Sequence, residues 1–217
     1  DSDLETLNPN ESGNLNLSIT VKNPAVRDNA QNVEVKTTVK IKSDEYDTFL
    51  PGNDLAIKIA TVANLETALE HVSGPLPPKV GQATVYKITL SLRNSTNEIR
   101  DGILTGFIPL GASGFDSSSI QPTAEKVNAN FDPSSGKLTW KIAKLLAHSG
   151  NFNPLRKLSF TVRLVPSSSQ SGKEVILMKT ISYKATDSFT SRPVNLTSED
   201  ITTTDLPNNG FNNGIVE

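Results

Sequence analysis

Cysteine is absent from the 217 residues. That excludes a disulfide framework, a thiolate zinc site and a cysteine nucleophile. Imidazole is scarce, with two His, and there is one Trp and one Met. Few catalytic sites can be assembled from such a set. Charge of one sign is also lacking: 21 Lys+Arg stand against 23 Asp+Glu, a net charge of −2. Nucleic acid is therefore not an expected partner, because phosphate binding needs a clear positive excess. No apolar run approaches the roughly 20 residues that span a bilayer. Any membrane contact is expected only through an anchor outside this chain.

What is abundant is Ser (23), Thr (21) and Asn (20). The apolar residues fall in short alternating runs, a pattern a disordered chain lacks. In residues 15–22, Leu15, Leu17, Ile19 and Val21 share one strand face. Residues 33–42 and 55–60 alternate similarly, with a polar loop at 43–53 between them. Residues 63–71 have helical propensity, although an extended reading is preferred for their first half. Further strands are expected at 85–92, 102–109, 127–131, 137–142, 158–165, 175–184 and 194–204. Residues 112–121 read as a Ser- and Gly-rich loop. Asp132-Pro133-Ser134-Ser135-Gly136 is a hairpin turn between two of these strands. The composition is that of an all-β protein.

Ser73-Gly74-Pro75-Leu76-Pro77-Pro78 is the clearest boundary, since clustered prolines favour a stiff extended connector. Residues 17–22 match 158–163, and 33–44 track 175–186, so successive strands recur in order about 141 residues apart. The expected organisation follows from this repeat. Residues 1–73 are the last strands of one sandwich module, 74–78 a linker, 79–206 a complete module, and 207–217 a flexible tail.

Pro77-Pro78-Lys79-Val80-Gly81 precedes a strand ending at Arg93-Asn94-Ser95-Thr96-Asn97. Phe131-Asp132-Pro133-Ser134-Ser135-Gly136-Lys137-Leu138-Thr139-Trp140 and Thr186-Asp187-Ser188-Phe189-Thr190 follow. On these motifs residues 75–217 resemble the immunoglobulin-like "conserved repeat" domains of large bacterial surface proteins, abundant in candidate-phylum bacteria. Residues 1–74 match less well. The resemblance implies an extracellular, cell-surface β-sandwich repeated in tandem along an anchored protein, with no catalytic residues to carry over. Lys87 departs from the pattern, where the family has a small polar residue.

Each candidate site has a competing bland reading. Trp140, Tyr86, Ile88, Leu90, Phe160 and Val162 are assigned to the core, with a sugar-stacking platform as the alternative for Trp140. Asp44, Glu45, Asp47 and Asp54 surround one loop and are candidate calcium ligands, against a solvated acidic loop. No other cofactor is expected. His71 and His148 read as surface or capping residues, because no Gly-x-Ser-x-Gly elbow accompanies them. Lys87 invites an isopeptide bond, but strand alternation points it outward. Asn10, Asn16, Asn94 and Asn195 begin glycosylation triplets, which carry little weight in so Asn-rich a chain.

The function expected is structural and non-catalytic: a module of a stalk, fibre or surface layer. Its partners would be neighbouring modules of the same or sister chains, with surface glycans or proteins in the competing reading. That competing reading is an adhesin or carbohydrate-binding module, for which Phe115, Asp116 and Phe152 are the thin support.

Overall fold

A computed structural model describes residues 8–14, 16, 18, 20, 29–110, 113–207 and 214–217. Among them the chain is built almost wholly of antiparallel strands. In chain order these are β1 (Glu34–Ser43), β2 (Tyr46–Lys58), β3 (Ala63–Ser73), β4 (Thr84–Asn94), β5 (Ile99–Phe107) and β6 (Ser113–Gln121). They continue with β7 (Ala129–Asp132), β8 (Lys137–Leu145), β9 (Arg156–Leu164), β10 (Ile176–Asp187), β11 (Pro193–Ser198) and β12 (Ile201–Thr202). The run at 15–22 falls largely outside the described residues. No helix among the described residues is long and apolar enough to cross a membrane.

Strands β3–β12 form a two-layer sandwich. One sheet has the order β3-β4-β9-β6, the other β11-β10-β5-β8-β7 with β12 added to β10. Alternation explains the layers. On β4, Tyr86, Ile88, Leu90 and Leu92 share one face and are fully buried. Opposite them in register on β9 stand Val162, Phe160 and Leu158. A single sheet would leave this face wet, so it packs against the second. That sheet contributes Leu104, Leu138, Trp140, Ile142, Leu177, Ile181 and Tyr183 to the same core. Burying each large side chain stabilises the fold by about 1.5–3 kcal/mol. Gly102 permits a close approach: a β-carbon there would lie 2.5 Å from the Tyr183 hydroxyl.

Several expectations are corrected. The sandwich does not begin at 79. Residues 63–73 form its edge strand β3, paired with β4 from Ala63↔Asn94 to Ser73↔Val85, with Leu65 and Leu69 buried. The proline run 74–78 is thus the β3–β4 connection inside the module, tied down by Thr84 Oγ1 donating to the Pro75 carbonyl at 3.0 Å. Nor is the last part of the 207–217 tail loose. Val216 is buried, its N–H donates to Lys173, and the Glu217 N–H donates to Pro78 at 2.8 Å. Residues 208–213 lie outside the described residues. Residues 113–121 form β6 rather than a loop, because backbone bonding to β9 needs no apolar alternation. Finally, the expected strand 194–204 divides into β11 and β12 around residues 199–200.

The β1–β2 hairpin is a separate two-stranded sheet. Its tight turn is Asp44-Glu45, and β2 runs on through Pro51-Gly52, so the polar loop expected at 43–53 is largely strand.

Candidate functional site at the joint between hairpin and sandwich

The most densely bonded polar cluster lies where the chain passes from the hairpin into the sandwich. Residues 59–62 make this passage. Two loops from opposite sheets grip them: Asn94–Asn97, which ends β4, and Asp187–Thr190, which ends β10. Asn, Ser, Thr and Asp at strand ends bond readily to nearby backbone, which is why such residues serve as turns and clamps.

Asp187 is at the centre and is 1% exposed. Its Oδ2 accepts the Thr61 N–H at 2.8 Å and Asn97 Nδ2 at 2.9 Å. Its Oδ1 accepts the Phe189 and Thr190 N–H groups at 2.9 and 3.1 Å. Burial pushes this carboxyl's pKa up, but the four donors outweigh it and hold the pKa below the usual carboxylate value. Asn97 Nδ2 also donates to the Ile59 carbonyl at 2.8 Å, and its Oδ1 accepts the Asn32 N–H at 3.2 Å. Thr61 Oγ1 donates to Asn94 Oδ1 at 2.6 Å. Ser95 makes reciprocal bonds with Val62. Outside this ring, the Lys58 ammonium lies 4.7 Å from the Phe189 ring centroid. Hydrogen bonds to a charged group contribute about 1.5–3 kcal/mol each, without simple additivity. The cluster is a clamp. Asp187, with four donors on its two oxygens, is placed to hold backbone rather than to take a proton from a substrate.

A second buried group, within the sandwich, centres on Glu125. It accepts Trp140 Nε1 at 2.8 Å, Asn128 Nδ2 at 3.0 Å and Arg156 Nη2 at 2.7 Å. Trp140 is fully buried, so neither face of its ring is open to a sugar. Tyr86, Ile88, Leu90, Phe160 and Val162 are likewise at 0% exposure.

The other candidates are dispersed. Asp44 and Glu45 sit on the hairpin turn, and Asp47 pairs with Lys42 at 3.6 Å. Asp54 faces Thr38 far along the same hairpin. Seven residues of strand put Asp54 about 23 Å from Asp47, too far for one ion. Among the described residues no three His, Asp or Glu side chains converge as a metal site. Phe115 stacks on Phe131 at 4.5 Å and packs on Phe160, within the sandwich. Phe152 lies in the β8–β9 loop against His148. Thus the aromatics of the adhesin reading do not gather at one loop end. His71 and His148 lie beside the carbonyls of Gly74 and Ala30, at 3.1 and 3.2 Å, rather than beside a Ser hydroxyl. Lys87 points outward to Glu70 at 3.1 Å. Asn94 is buried with its amide donating to Asn97 and Leu146 carbonyls, which closes it to glycosylation in the folded protein.

The clamp was only partly visible in sequence. The strand-ending motifs containing Asn97 and Asp187 stand out, but Thr61, which they hold, carries no local signal.

No family model matches the chain, and no curated protein does. Solved structures with a similar fold include an exo-β-N-acetylglucosaminidase of Vibrio harveyi, at 12% identity and a TM-score of 0.36. That match covers 62% of this chain and 17% of the enzyme chain. The major pilin SpaD of Corynebacterium diphtheriae matches at 10% identity and a TM-score of 0.42, covering 64% of this chain and 34% of the pilin. The BcpA major pilin subunit of Bacillus cereus matches at 8% identity and a TM-score of 0.37, covering 76% and 47%. The chain thus spans less than half of each. The class defined by the fold is an all-β antiparallel sandwich. Similarities this distant assign no function.

Proposed function

We propose that this chain is a non-catalytic spacer module of an extracellular bacterial surface protein. The observation that carries this reading is the path of the chain. It enters the sandwich at Thr61–Val62, beside Asn94 and Asp187, at one end of the strands. It reaches Glu217 at the other end, bonded to Pro78 and Val80 in the β3–β4 connection. The eleven residues of β4 between those ends place the two points about 30–35 Å apart. A module crossed end to end adds its full length to whatever it is built into.

The same path sets how tension would act. A pull on residues 61 and 217 draws β3 lengthwise along β4, so its rungs are strained together rather than one at a time. The clamp at Asp187 resists at the same point. Residue chemistry supports a geometric role, since the buried carboxylates Asp187 and Glu125 are both consumed by structural donors. The sequence resemblance to bacterial surface repeats supports the extracellular setting.

Stretching the chain between its termini in an atomic force microscope tests the mechanics. The sandwich should give one abrupt unfolding event that releases about 50 nm of chain, from the extended reach of residues 63–217. Gradual lengthening, with β3 peeling before the sandwich yields, would contradict it. Immunogold labelling of intact source cells tests the location. Regular surface label supports the reading, and label only in permeabilised cells overturns it.

A further inference from the structure

The β1–β2 hairpin has two unlike faces. Register places Val35 beside Ile57, Thr37 beside Leu55, and Ile41 beside Leu50 on one of them. The other holds Glu34 beside Lys58, Lys36 beside Ala56, and Lys40 beside Pro51. The apolar face is uncovered among the described residues: Ile41 is 62% exposed, Leu50 60% and Leu55 58%. An isolated two-stranded hairpin is marginal in water, and an apolar sheet face must be covered to contribute stability.

The β10–β11 hairpin shows what covers such a face. Both hairpins are closed at their open end by one bond of the same kind. The Ile59 N–H donates to Val33 at 2.9 Å, and the Thr203 N–H donates to Val175 at 2.9 Å. At the repeat spacing of 142, Val35, Val39 and Ile41 of β1 fall on Leu177, Ile181 and Tyr183 of β10. Those three are buried in the sandwich core together with Tyr86, Ile88, Leu90 and Leu92 of β4. The uncovered face of β1 is therefore the one that its counterpart buries.

We propose that the apolar face of β1–β2 is a docking surface for a second β-sheet, supplied by strands that precede it in the same polypeptide and carry alternating apolar residues as β4 does. Order in the chain selects this occupant. In the sandwich, the strands of the facing sheet, β3, β4, β6 and β9, all come before the β10–β11 hairpin, so the strands covering β1–β2 come before it too. Lys36, Lys40 and Lys58 then remain on the solvent side. The hairpin becomes the closing pair of a preceding sandwich, and the Asp187 clamp becomes the joint between two modules. The inference rests on the repeat and the register, and stands apart from the spacer reading.

Photo-crosslinking in the full-length protein from its source tests this. Residue 41 is replaced by p-benzoylphenylalanine, and ¹⁴N- and ¹⁵N-labelled molecules are mixed before irradiation. The expected product is a crosslink within one molecule, to a strand with alternating apolar residues N-terminal to β1. A crosslink of mixed isotope composition would instead identify a second copy as the occupant and overturn the proposal. So would a crosslink to a different protein. Hydrogen exchange on the unmodified protein guards against a variant that misfolds. Amides of residues 34–58 should exchange at least about 100-fold more slowly in the full-length protein than in the 217-residue chain. Equal rates in the two would also overturn it.

Discussion

Asp187 accepts the backbone N–H of Thr61 at 2.8 Å, across 126 residues of sequence. This bond joins the end of β10 to the segment that leads out of the hairpin. Asn97 reinforces it by donating to Asp187 and to the Ile59 carbonyl with the same amide. The joint is thereby held by buried, charge-assisted bonds rather than by a loose linker.

Replacing Asp187 with Ala would leave four donors without their acceptor. Unsatisfied buried groups cost about 1–3 kcal/mol each, partly relieved where water can enter. Asp187→Ala is expected to lower unfolding stability by about 2–4 kcal/mol in urea titration. A loss below 0.5 kcal/mol, the ordinary scatter of a surface substitution, would remove Asp187 from the clamp.

The same residue sets an acid limit. Its folded pKa lies below the ordinary carboxylate value of about 3.9, since its four donors outweigh the effect of burial. Its contribution is therefore present above that ordinary value and lost as pH falls through the folded one. Urea midpoints measured from pH 7 to pH 2 should drop below about pH 4. In Asp187→Asn the midpoint should begin lower and fall less steeply. An equally steep acid limb in that variant would assign the loss to other carboxylates.

Tyr86 and Tyr183 set an alkaline limit. Burial pushes both phenols up to about 12, although Arg156 slightly opposes this for Tyr183. A raised folded pKa contributes stability that is complete below the unfolded value of about 10 and is lost as pH rises through the folded one. Absorbance at tyrosinate wavelengths should show two of the three tyrosines resisting ionisation until the protein unfolds near pH 12. Ionisation of all three near pH 10 with the fold intact would contradict their burial.

Glu125 and Arg156 should be energetically coupled. Glu125→Ala strips the acceptor from Trp140, Asn128 and Arg156 and is expected to cost about 3 kcal/mol or more. Trp140 emission should shift to the red as water reaches the indole. Adding Arg156→Ala should cost much less than its single effect, since the ion pair is already broken. Strict additivity in the double-mutant cycle would mean that the two side chains do not interact.

Much of the fold could be read in the sequence, and the reason is local. Alternation on β4, β8, β9 and β10 follows from a side-chain period of two. Any strand with one buried face shows it, whatever its partner. The same reasoning faltered at β6, where Phe115-Asp116-Ser117-Ser118-Ser119 has no alternation and the pairing to β9 breaks register between Asp116 and Gln121. It faltered at β3 as well. An edge strand with Ala63, Leu65, Thr67 and Leu69 on one face is a weaker local signal than the conspicuous proline run that follows it.

The candidate site divides in the same way. The amino-acid sequence by itself determined an all-β chain without the means for thiol or metal-thiolate chemistry, because those exclusions need only residue types. It marked Asn94–Asn97 and Asp187–Thr190 as strand ends, because turn chemistry is local. Tertiary structure alone decided that these two loops meet and that Thr61 lies between them. Those relationships are distances between residues far apart in the chain, set by how two sheets stack and in what register. No local preference encodes them.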